Sequence, residues 1–281
     1  MPDRPTASLA ESMSMNQPVV IIGIGEIGGV FARGLLRCNC PVYPVTRSQG
    51  LRKAADSFPA AQAVLVAVAE NDIHNVLEDM PKAWRRKLIL VQNELLPRDW
   101  EGYSIQDPTL VSIWFEKKRG QDPKVIIPSP VFGPHAALVH QALGALDIPS
   151  FTAPDANSML FELVRKNLYI LTSNIAGLVV GGTTGELWHK HRGLALQVAG
   201  DIMKLQTKLT GVELPWEPLI HAMAEAFLAD PQHKCTGRSA PARLIRALAQ
   251  AQQFQLDLPN LRGIHEVPYG LPIASKPDIP T

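Results

Sequence analysis

The chain has few cysteines, almost no excess charge and no long apolar run. Its 281 residues include only three cysteines, Cys38, Cys40 and Cys235. An odd number with no second C-x-C pair gives neither a disulfide framework nor zinc-site spacing, so we expect reduced thiols in a cytoplasmic protein. The net charge of +1 favours neither nucleic acid nor a membrane surface as a partner. No apolar run approaches the ~18 residues that cross a bilayer.

The overall composition is that of a soluble globular protein. Apolar residues make up 46% of the chain and charged residues 19%, and the length suits two ordinary domains or one large one. Residues 1–17 are polar and rich in proline and serine, which predicts a disordered tail rather than a secretory signal. His189 and His191 are two apart on a predicted helix and point to different faces, so we expect no metal site.

Two architectures follow one another along the chain. Between residues 18 and 93, apolar runs alternate with amphipathic stretches, which predicts a doubly wound parallel sheet of the Rossmann type. Two further strands are predicted at 109–118 and 124–133, with a helix at 133–146. Beyond residue 155 the pattern is helical, at roughly 156–180, 186–210, 216–229 and 239–255. We therefore predict a cofactor-binding α/β domain at 18–154 and an all-α domain at 155–281.

A glycine-rich turn follows the first strand. Gly23, Gly25 and Gly28 form G-x-G-x-x-G between a β-branched strand and an amphipathic helix, with a second strand soon after. In this context the glycines allow a tight turn, close approach of a pyrophosphate and close helix–strand packing. The alternative is a turn that binds nothing. The predicted dinucleotide contacts are Gly23, Ile24, Gly25, Glu26, Ile27 and Gly28.

The end of the second strand indicates which dinucleotide would bind. The strand ends in Thr46, Arg47 and Ser48, and no acidic residue follows before Asp56. An NAD site usually has a carboxylate here for the ribose hydroxyl, whereas an NADP site has an arginine for the 2′-phosphate. Arg47 is therefore the candidate phosphate ligand and NADP(H) the predicted cofactor, with a solvated surface arginine as the alternative.

Polar side chains occur at two further places where they suggest chemistry. Asn93 ends the fourth strand, where it can bond a cofactor ribose or a substrate carbonyl, or simply its own turn. Lys166 and Asn174 are a little over two turns apart on an otherwise apolar helix and project from roughly one face. Lys166 either reaches solvent along its methylene stem or faces a pocket, where an ammonium could protonate the oxygen of a carbonyl under reduction.

These residues together resemble the ketopantoate reductases of the 6-phosphogluconate-dehydrogenase-like superfamily. The resemblance rests on the glycine turn, the Gln-Asn pair ending the fourth strand, the lysine helix and the sequence GTTGEL at 182–187. It implies an NADPH-dependent reductase with Lys166 as general acid, Asn93 at the catalytic site and Asn174 at the substrate. It also implies a substrate-binding role for Ser239, and Arg238 beside it could help to hold a carboxylate. Ser239 is equally well explained as a helix N-cap.

The chain also departs from the family pattern at several positions. Glu94 stands where a glycine normally follows the asparagine, Ala69 replaces a common lysine, and Ile170 replaces an asparagine one turn after Lys166. Residues 232–254 contain no carboxylate, although the family has a glutamate there, but they contain Lys234, Arg238, Arg243 and Arg246. These departures favour a small anionic keto substrate other than ketopantoate.

Three functions are compatible with this sequence. The first is a reductase of ketopantoate-reductase type with shifted specificity. The second is an inactive NADP-binding sensor or scaffold. The third is a related dehydrogenase that acts on an imine or a hydroxy acid. The long helices of the second domain could also form a homodimer interface, as is common in the superfamily.

Overall fold

The computed structural model describes residues 17–266, which fall into two compact units divided between Leu160 and Phe161. All but the last residue of the tail predicted at 1–17, and residues 267–281 of the predicted second domain, lie outside the described residues. Within residues 17–266, no helix combines the length and apolarity needed to cross a membrane.

The first unit contains all the strands of the described chain. In chain order they are β1 Val19–Ile22, β2 Val42–Val45, β3 Ala63–Val66, β4 Leu88–Leu90, β5 Thr109–Val111, β6 Phe115–Glu116, β7 Lys124–Val125, β8 Ser129–Phe132 and β9 Ser150–Thr152.

Eleven α-helices complete the structure between residues 17 and 266. They are α1 Glu26–Arg37, α2 Leu51–Ser57, α3 Ile73–Glu78, α4 Arg98–Glu101, α5 Ala136–Gly144, α6 Ala156–Val180, α7 Thr184–Lys190, α8 Arg192–Thr210, α9 Trp216–Ala229, α10 Ala240–Gln253 and α11 Pro259–Glu266. A short 3-10 helix spans Lys82–Trp84.

Seven strands form one sheet in the order β2-β1-β3-β4-β5-β8-β9, and β6 pairs with β7 in a separate hairpin. The predicted doubly wound parallel sheet is confirmed for β1 to β5. By contrast, β8 runs antiparallel to β5, with β9 parallel to β8. Because β1 pairs with both β2 and β3, the chain reverses its winding beside β1, and ligands bind sheets of this kind at such a reversal.

The central strands are aliphatic because helices cover both faces of the sheet. In β1, Val19, Val20 and Ile21 have no exposed surface, and every residue of β3 is buried. Helix α1 packs its apolar side, including Phe31 and Leu35, on this sheet. This packing fixes where the turn between β1 and α1 lies.

The second unit is all helical, as predicted. Helices α6 and α9 have the predicted bounds, whereas the helix predicted at 186–210 is two helices, α7 and α8. The two helices meet at His191, whose backbone (φ −129°, ψ 33°) lies outside the helical region. A capping box between Thr183 and Glu186 starts α7 slightly earlier than predicted.

Buried polar contacts tie the helices of the second unit together. Asn167 of α6 donates to Gln206 of α8 at 3.0 Å. Asp201 of α8 is 1% exposed and accepts the first N–H groups of α11, from Asn260 at 2.8 Å and Leu261 at 3.2 Å. Because an unsatisfied carboxylate or helix end costs free energy when buried, these contacts fix the packing of α6, α8 and α11.

Candidate functional site

The turn between β1 and α1 requires glycine at two of its three motif positions. Gly23 has φ +90°, and a Cβ there would lie 2.7 Å from the carbonyl oxygen of Ala67. A Cβ at Gly28 would lie 2.1 Å from the carbonyl oxygen of Gly23. At Gly25, by contrast, a Cβ would meet nothing within 4 Å, so this position faces open space. The turn has the shape that admits a phosphate close to the backbone.

A cavity of about 820 Å³ opens beside this turn. Its walls come from the carboxyl ends of β1, β2 and β3 and from the start of α3, which is the crevice expected at the reversal of strand order. Ile24, 44% exposed, is on its rim, and Ile27 instead packs against the core of the sheet. The polar lining residues are Thr46, Arg47, Gln49, Asp72, Asn75 and Asp79.

Arg47 lies at this cavity, where the sequence predicts it, and it has a partner that the sequence did not indicate. Its Nη2 is 2.7 Å from Oδ2 of Asp72, in an ion pair whose arginine side chain is 92% exposed. Asp72 stands at the N-cap position of α3, but its side chain caps no helix N–H. The Asp72 carboxylate thus binds Arg47 instead of capping α3, and an exposed ion pair of this kind is weak enough to open for a ligand.

Glu26, the first residue of α1, is also paired. Its carboxylate lies 3.3 Å from Nζ of Lys117, in the segment that joins β6 to β7. Both residues line a smaller cavity of about 310 Å³ with Gly25, Gly29 and Arg33. A carboxylate at a helix N-terminus would repel a bound phosphate, and Lys117 offsets that charge.

The residues after β4 hold the edge of the sheet together. Gln92 is 7% exposed, and its Nε2 donates to the carbonyl of Val66 at 2.6 Å while its Oε1 accepts the N–H of Val91 at 3.1 Å. Asn93 donates to Glu70 at 3.1 Å and does not line the large cavity. The structure therefore brings Asn93 to the carboxyl edge of the sheet with a carboxylate beside it.

Glu94 has a left-handed backbone, with φ +62°, at the position where the family pattern has glycine. This conformation costs a residue with a Cβ about 1–2 kcal/mol, and glycine adopts it freely. We expect Glu94→Gly to be about 1 kcal/mol more stable than Glu94→Ala, because both lose the same carboxylate contacts and only alanine keeps the strain. Urea unfolding of the two variants tests this. An alanine variant as stable as the glycine variant would contradict it.

Lys166 is buried on α6, with only 9% of its surface exposed. Its Nζ lies 5.6 Å from the centroid of the Tyr169 ring. Leu163, Leu168 and Ile170 beside it are buried as well. A fully solvated, snorkelling lysine does not fit this exposure, since burial of an ammonium is unfavourable without a structural or chemical reason.

Asn174 lies on the same helix, and both ends of its amide are bonded. Its Nδ2 donates to the carbonyl of Cys235 at 3.0 Å, and its Oδ1 accepts from Nη1 of Arg243 at 2.7 Å. Burial raises the pKa of Cys235 to about 12, with a smaller contribution from the charge of Glu186, so this cysteine is a thiol at neutral pH. Cys235 thus contributes its carbonyl group rather than a nucleophile.

Ser239 and Arg238 precede α10 and are both exposed. Ser239 occupies the N-cap position, but its hydroxyl makes no capping hydrogen bond. Across residues 17–266, no cluster of three or more histidine, cysteine, aspartate or glutamate side chains is placed to hold a metal.

No protein-family model and no curated protein matches this sequence. Solved structures do match it. A PanE/ApbA family ketopantoate reductase from Ralstonia eutropha JMP134 aligns over 89% of this chain and 96% of its own, with TM-score 0.62 and 16% identity. This chain has the ketopantoate reductase fold. The fold that the resemblance implied is therefore confirmed.

Two other solved structures have the same fold. A dimeric ketopantoate reductase from Staphylococcus aureus aligns over 88% of this chain and 97% of its own, with TM-score 0.57 and 16% identity. A D-mandelate dehydrogenase, solved with NADH and anilino(oxo)acetate, aligns over 89% and 96%, with TM-score 0.62 and 11% identity. At these identities the likeness establishes the fold alone.

The structure groups the predicted residues in two sets. Gly23, Ile24, Gly25 and Arg47 line one cavity of the first unit, and Lys166 and Asn174 belong to one helix of the second. Sequence reasoning did not assign Asp72, Lys117 or Arg243 to a site. Each is recognised by a contact with a residue far away in the chain, and no local pattern marks it.

Proposed function

We propose that this chain is an NADPH-dependent reductase that converts a small 2-keto acid to a hydroxy acid. The proposal rests on the cavity at the reversal of strand order. Arg47 lines this cavity together with the turn after β1, which has room only for glycine at Gly23 and Gly28. A dinucleotide fits this cradle because Gly25 leaves its backbone open and the N-terminus of α1 favours negative charge. The fold shared with ketopantoate reductases and a D-mandelate dehydrogenase supports the reaction class.

Lys166 is the proposed general acid. A nicotinamide dinucleotide held by the glycine turn and Arg47 would supply a hydride to the carbonyl carbon of the substrate. In the same step an N–H bond of the Lys166 ammonium breaks and an O–H bond forms on the former carbonyl oxygen, which leaves a neutral amine and a hydroxy acid. The low exposure of Lys166 supports this role, because a dry site strengthens the interaction of the ammonium with developing negative charge.

The proposed preference for NADPH over NADH depends on Arg47 and can be tested by replacing it. We expect Arg47→Gln to weaken NADPH binding by about 10- to 100-fold, because a charge-assisted contact to the 2′-phosphate is lost, and to leave NADH binding unchanged. Asp72→Asn is the matched variant. It removes the carboxylate that competes for Arg47, so NADPH should bind several-fold more tightly to it.

Fluorescence titration of both nucleotides with each variant measures these affinities. An Arg47→Gln variant that loses NADPH and NADH affinity equally would contradict the assignment of Arg47 to the 2′-phosphate. Wild-type protein that binds neither nucleotide would contradict the proposed function itself.

The homodimer expected through the helical unit belongs to the same proposal, and the dimeric Staphylococcus aureus neighbour supports it. Exposed apolar side chains of this unit, including Trp216 and Leu228, are available for such a contact. The cytoplasmic location also stays a prediction.

A further inference from the structure

The segment that joins β6 to β7 contacts helix α1 through two ion pairs. Nζ of Lys117 lies 3.3 Å from Oε2 of Glu26, and Nη1 of Arg33 lies 3.6 Å from Oδ1 of Asp122. The two cations differ in burial, since the side chain of Lys117 is 15% exposed and that of Arg33 is 43% exposed. Lys117 is therefore the cation of this contact that is largely removed from water.

Both cations line the cavity of about 310 Å³, together with Gly25 and Gly29. Ile24 and Gly25 also line the larger cavity, so the two cavities adjoin at the glycine turn. A Cβ at Gly25 or Gly29 would meet no described atom within 4 Å, which leaves the α1 side of the smaller cavity open. A ligand in the larger cavity can therefore continue past Gly25 toward Lys117.

The proposed dinucleotide has a charged group at this place. Its 2′-phosphate lies at Arg47 in the proposed complex, which puts the adenosine half in the larger cavity. The pyrophosphate follows along the molecule and would cross the turn at Gly25. There it meets Glu26, the first residue of α1, whose carboxylate is unfavourable beside a phosphate. Lys117 is already in contact with that carboxylate.

The ion pair between Lys117 and Glu26 can be exchanged at low cost. Nζ of Lys117 donates to the carbonyl of Lys118 at 2.8 Å, and the contact with Glu26 uses a second of its three N–H donors. Glu26 is 45% exposed, so its carboxylate can turn to water when the ammonium moves away. A pyrophosphate has more negative charge than one carboxylate and therefore attracts the ammonium more strongly.

We propose that Lys117 binds the pyrophosphate of the dinucleotide and exchanges the Glu26 carboxylate for a phosphate oxygen when it does so. The segment between β6 and β7 then forms one wall of the cofactor site. Lys117 acts on NADPH and NADH alike, whereas Arg47 acts on the 2′-phosphate alone. The inference rests on the proposed function for the identity of the ligand, and its test is a binding measurement.

The probes are NADPH, NADH and adenosine 2′-phosphate, which has the 2′-phosphate but no pyrophosphate. Each is titrated calorimetrically into the full chain. We expect Lys117→Met to weaken binding of NADPH and of NADH by about 10- to 100-fold, because a charge-assisted contact is lost, and to leave binding of adenosine 2′-phosphate unchanged. Arg47→Gln should instead weaken binding of NADPH and of adenosine 2′-phosphate and spare NADH.

A second variant separates contact with the phosphate from simple neutralisation of Glu26. In Glu26→Gln the carboxylate is absent, so a lysine that only offsets its charge has no further role. We expect Glu26→Gln to bind NADPH several-fold more tightly than the wild type does, because the competing carboxylate is gone. Addition of Lys117→Met to that variant should weaken NADPH binding by about 10-fold or more. A loss below about twofold would limit Lys117 to neutralising Glu26 and contradict the inference.

Lys118→Met is the matched control, because Lys118 is the neighbouring lysine, 69% exposed and paired with Glu116 at 3.4 Å. It should bind all three probes as the wild type does. Lys117→Arg keeps the positive charge and should keep NADPH affinity within about threefold. If Lys117→Met fails to fold, the tighter binding expected of Glu26→Gln is the test, and unchanged or weaker NADPH binding by that variant would count against the inference.

Equal NADPH affinity of Lys117→Met and the wild type, or an equal loss for adenosine 2′-phosphate, would overturn the inference and leave the proposed function standing. A chain whose dinucleotide binding depends on Lys117 but which reduces no keto acid would keep the inference and lose the proposed function. Wild-type protein that binds neither dinucleotide would overturn both.

Discussion

Replacement of Lys166 by methionine is expected to lower kcat for keto acid reduction by about 10²- to 10⁴-fold and to leave the affinity for NADPH unchanged. General acid catalysis by a positioned side chain contributes a factor of this size. NADPH affinity should persist because the glycine turn and Arg47, which we assign to the cofactor, belong to the other unit. Methionine is the informative substitution, since it keeps the length and apolar stem of a side chain that is 9% exposed.

The control for this experiment is Lys190→Met. Lys190 is a lysine of the same unit whose side chain is 66% exposed and paired with Glu186 at 3.0 Å, so its loss removes only a weak surface ion pair. Stopped-flow oxidation of NADPH and equilibrium titration separate the chemical step from cofactor binding. A Lys166→Met variant that reduces substrate at the parental rate would rule out the general-acid role, whatever the control does.

The second large effect is on the free energy of unfolding rather than on catalysis. A comparison of two glycines of α1 tests it. A Cβ at Gly34 would lie 2.0 Å from the carbonyl oxygen of Ala142, where α1 crosses α5. Because the obstacle is backbone, it cannot rotate away, and overpacking of this kind costs about 3 kcal/mol. A Cβ at Gly29 meets nothing within 4 Å. Gly29→Ala should therefore gain about 1 kcal/mol from helix propensity alone.

Urea unfolding of the two alanine variants should thus differ by about 4 kcal/mol in the free energy of unfolding, with opposite signs relative to the wild type. The far-UV circular dichroism of the Gly34 variant reports whether it folds at all. Two variants of equal stability would mean that α1 and α5 do not approach as closely as the structure has them.

The bounds of two long helices could be predicted from the sequence, and the pairing of the last strands could not. The bounds of α6 and α9 agree with the prediction because both are long apolar stretches: α6 is buried on all sides from Lys166 to Gly177, and α9 buries a periodic apolar face. Strand β9 has only the residues Ser150–Thr152 and was not predicted, and the antiparallel direction of β8 depends on its pairing with β5. No pattern of neighbouring residues predicts that β8 pairs with β5.

The glycine turn was predictable in the same way, since its spacing, strand and helix are all adjacent in sequence. The partners of the predicted side chains were not. Arg47 pairs with Asp72 and Asn174 with Arg243 across separations of 25 and 69 residues, and a single sequence carries no signal for either contact. The same limit explains why Gly29 and Gly34 look alike in sequence, although only one of them touches another helix.

The side chain of Gln92 has a consequence for how a nucleotide would bind. It acts as an additional rung between β3 and β4, one step beyond the last paired residues of these strands. The edge of the sheet beside the proposed nucleotide site is therefore preorganised. The conformational entropy of that edge is lost when the chain folds. Binding of a nucleotide there would therefore lose no affinity to the cost of ordering the edge.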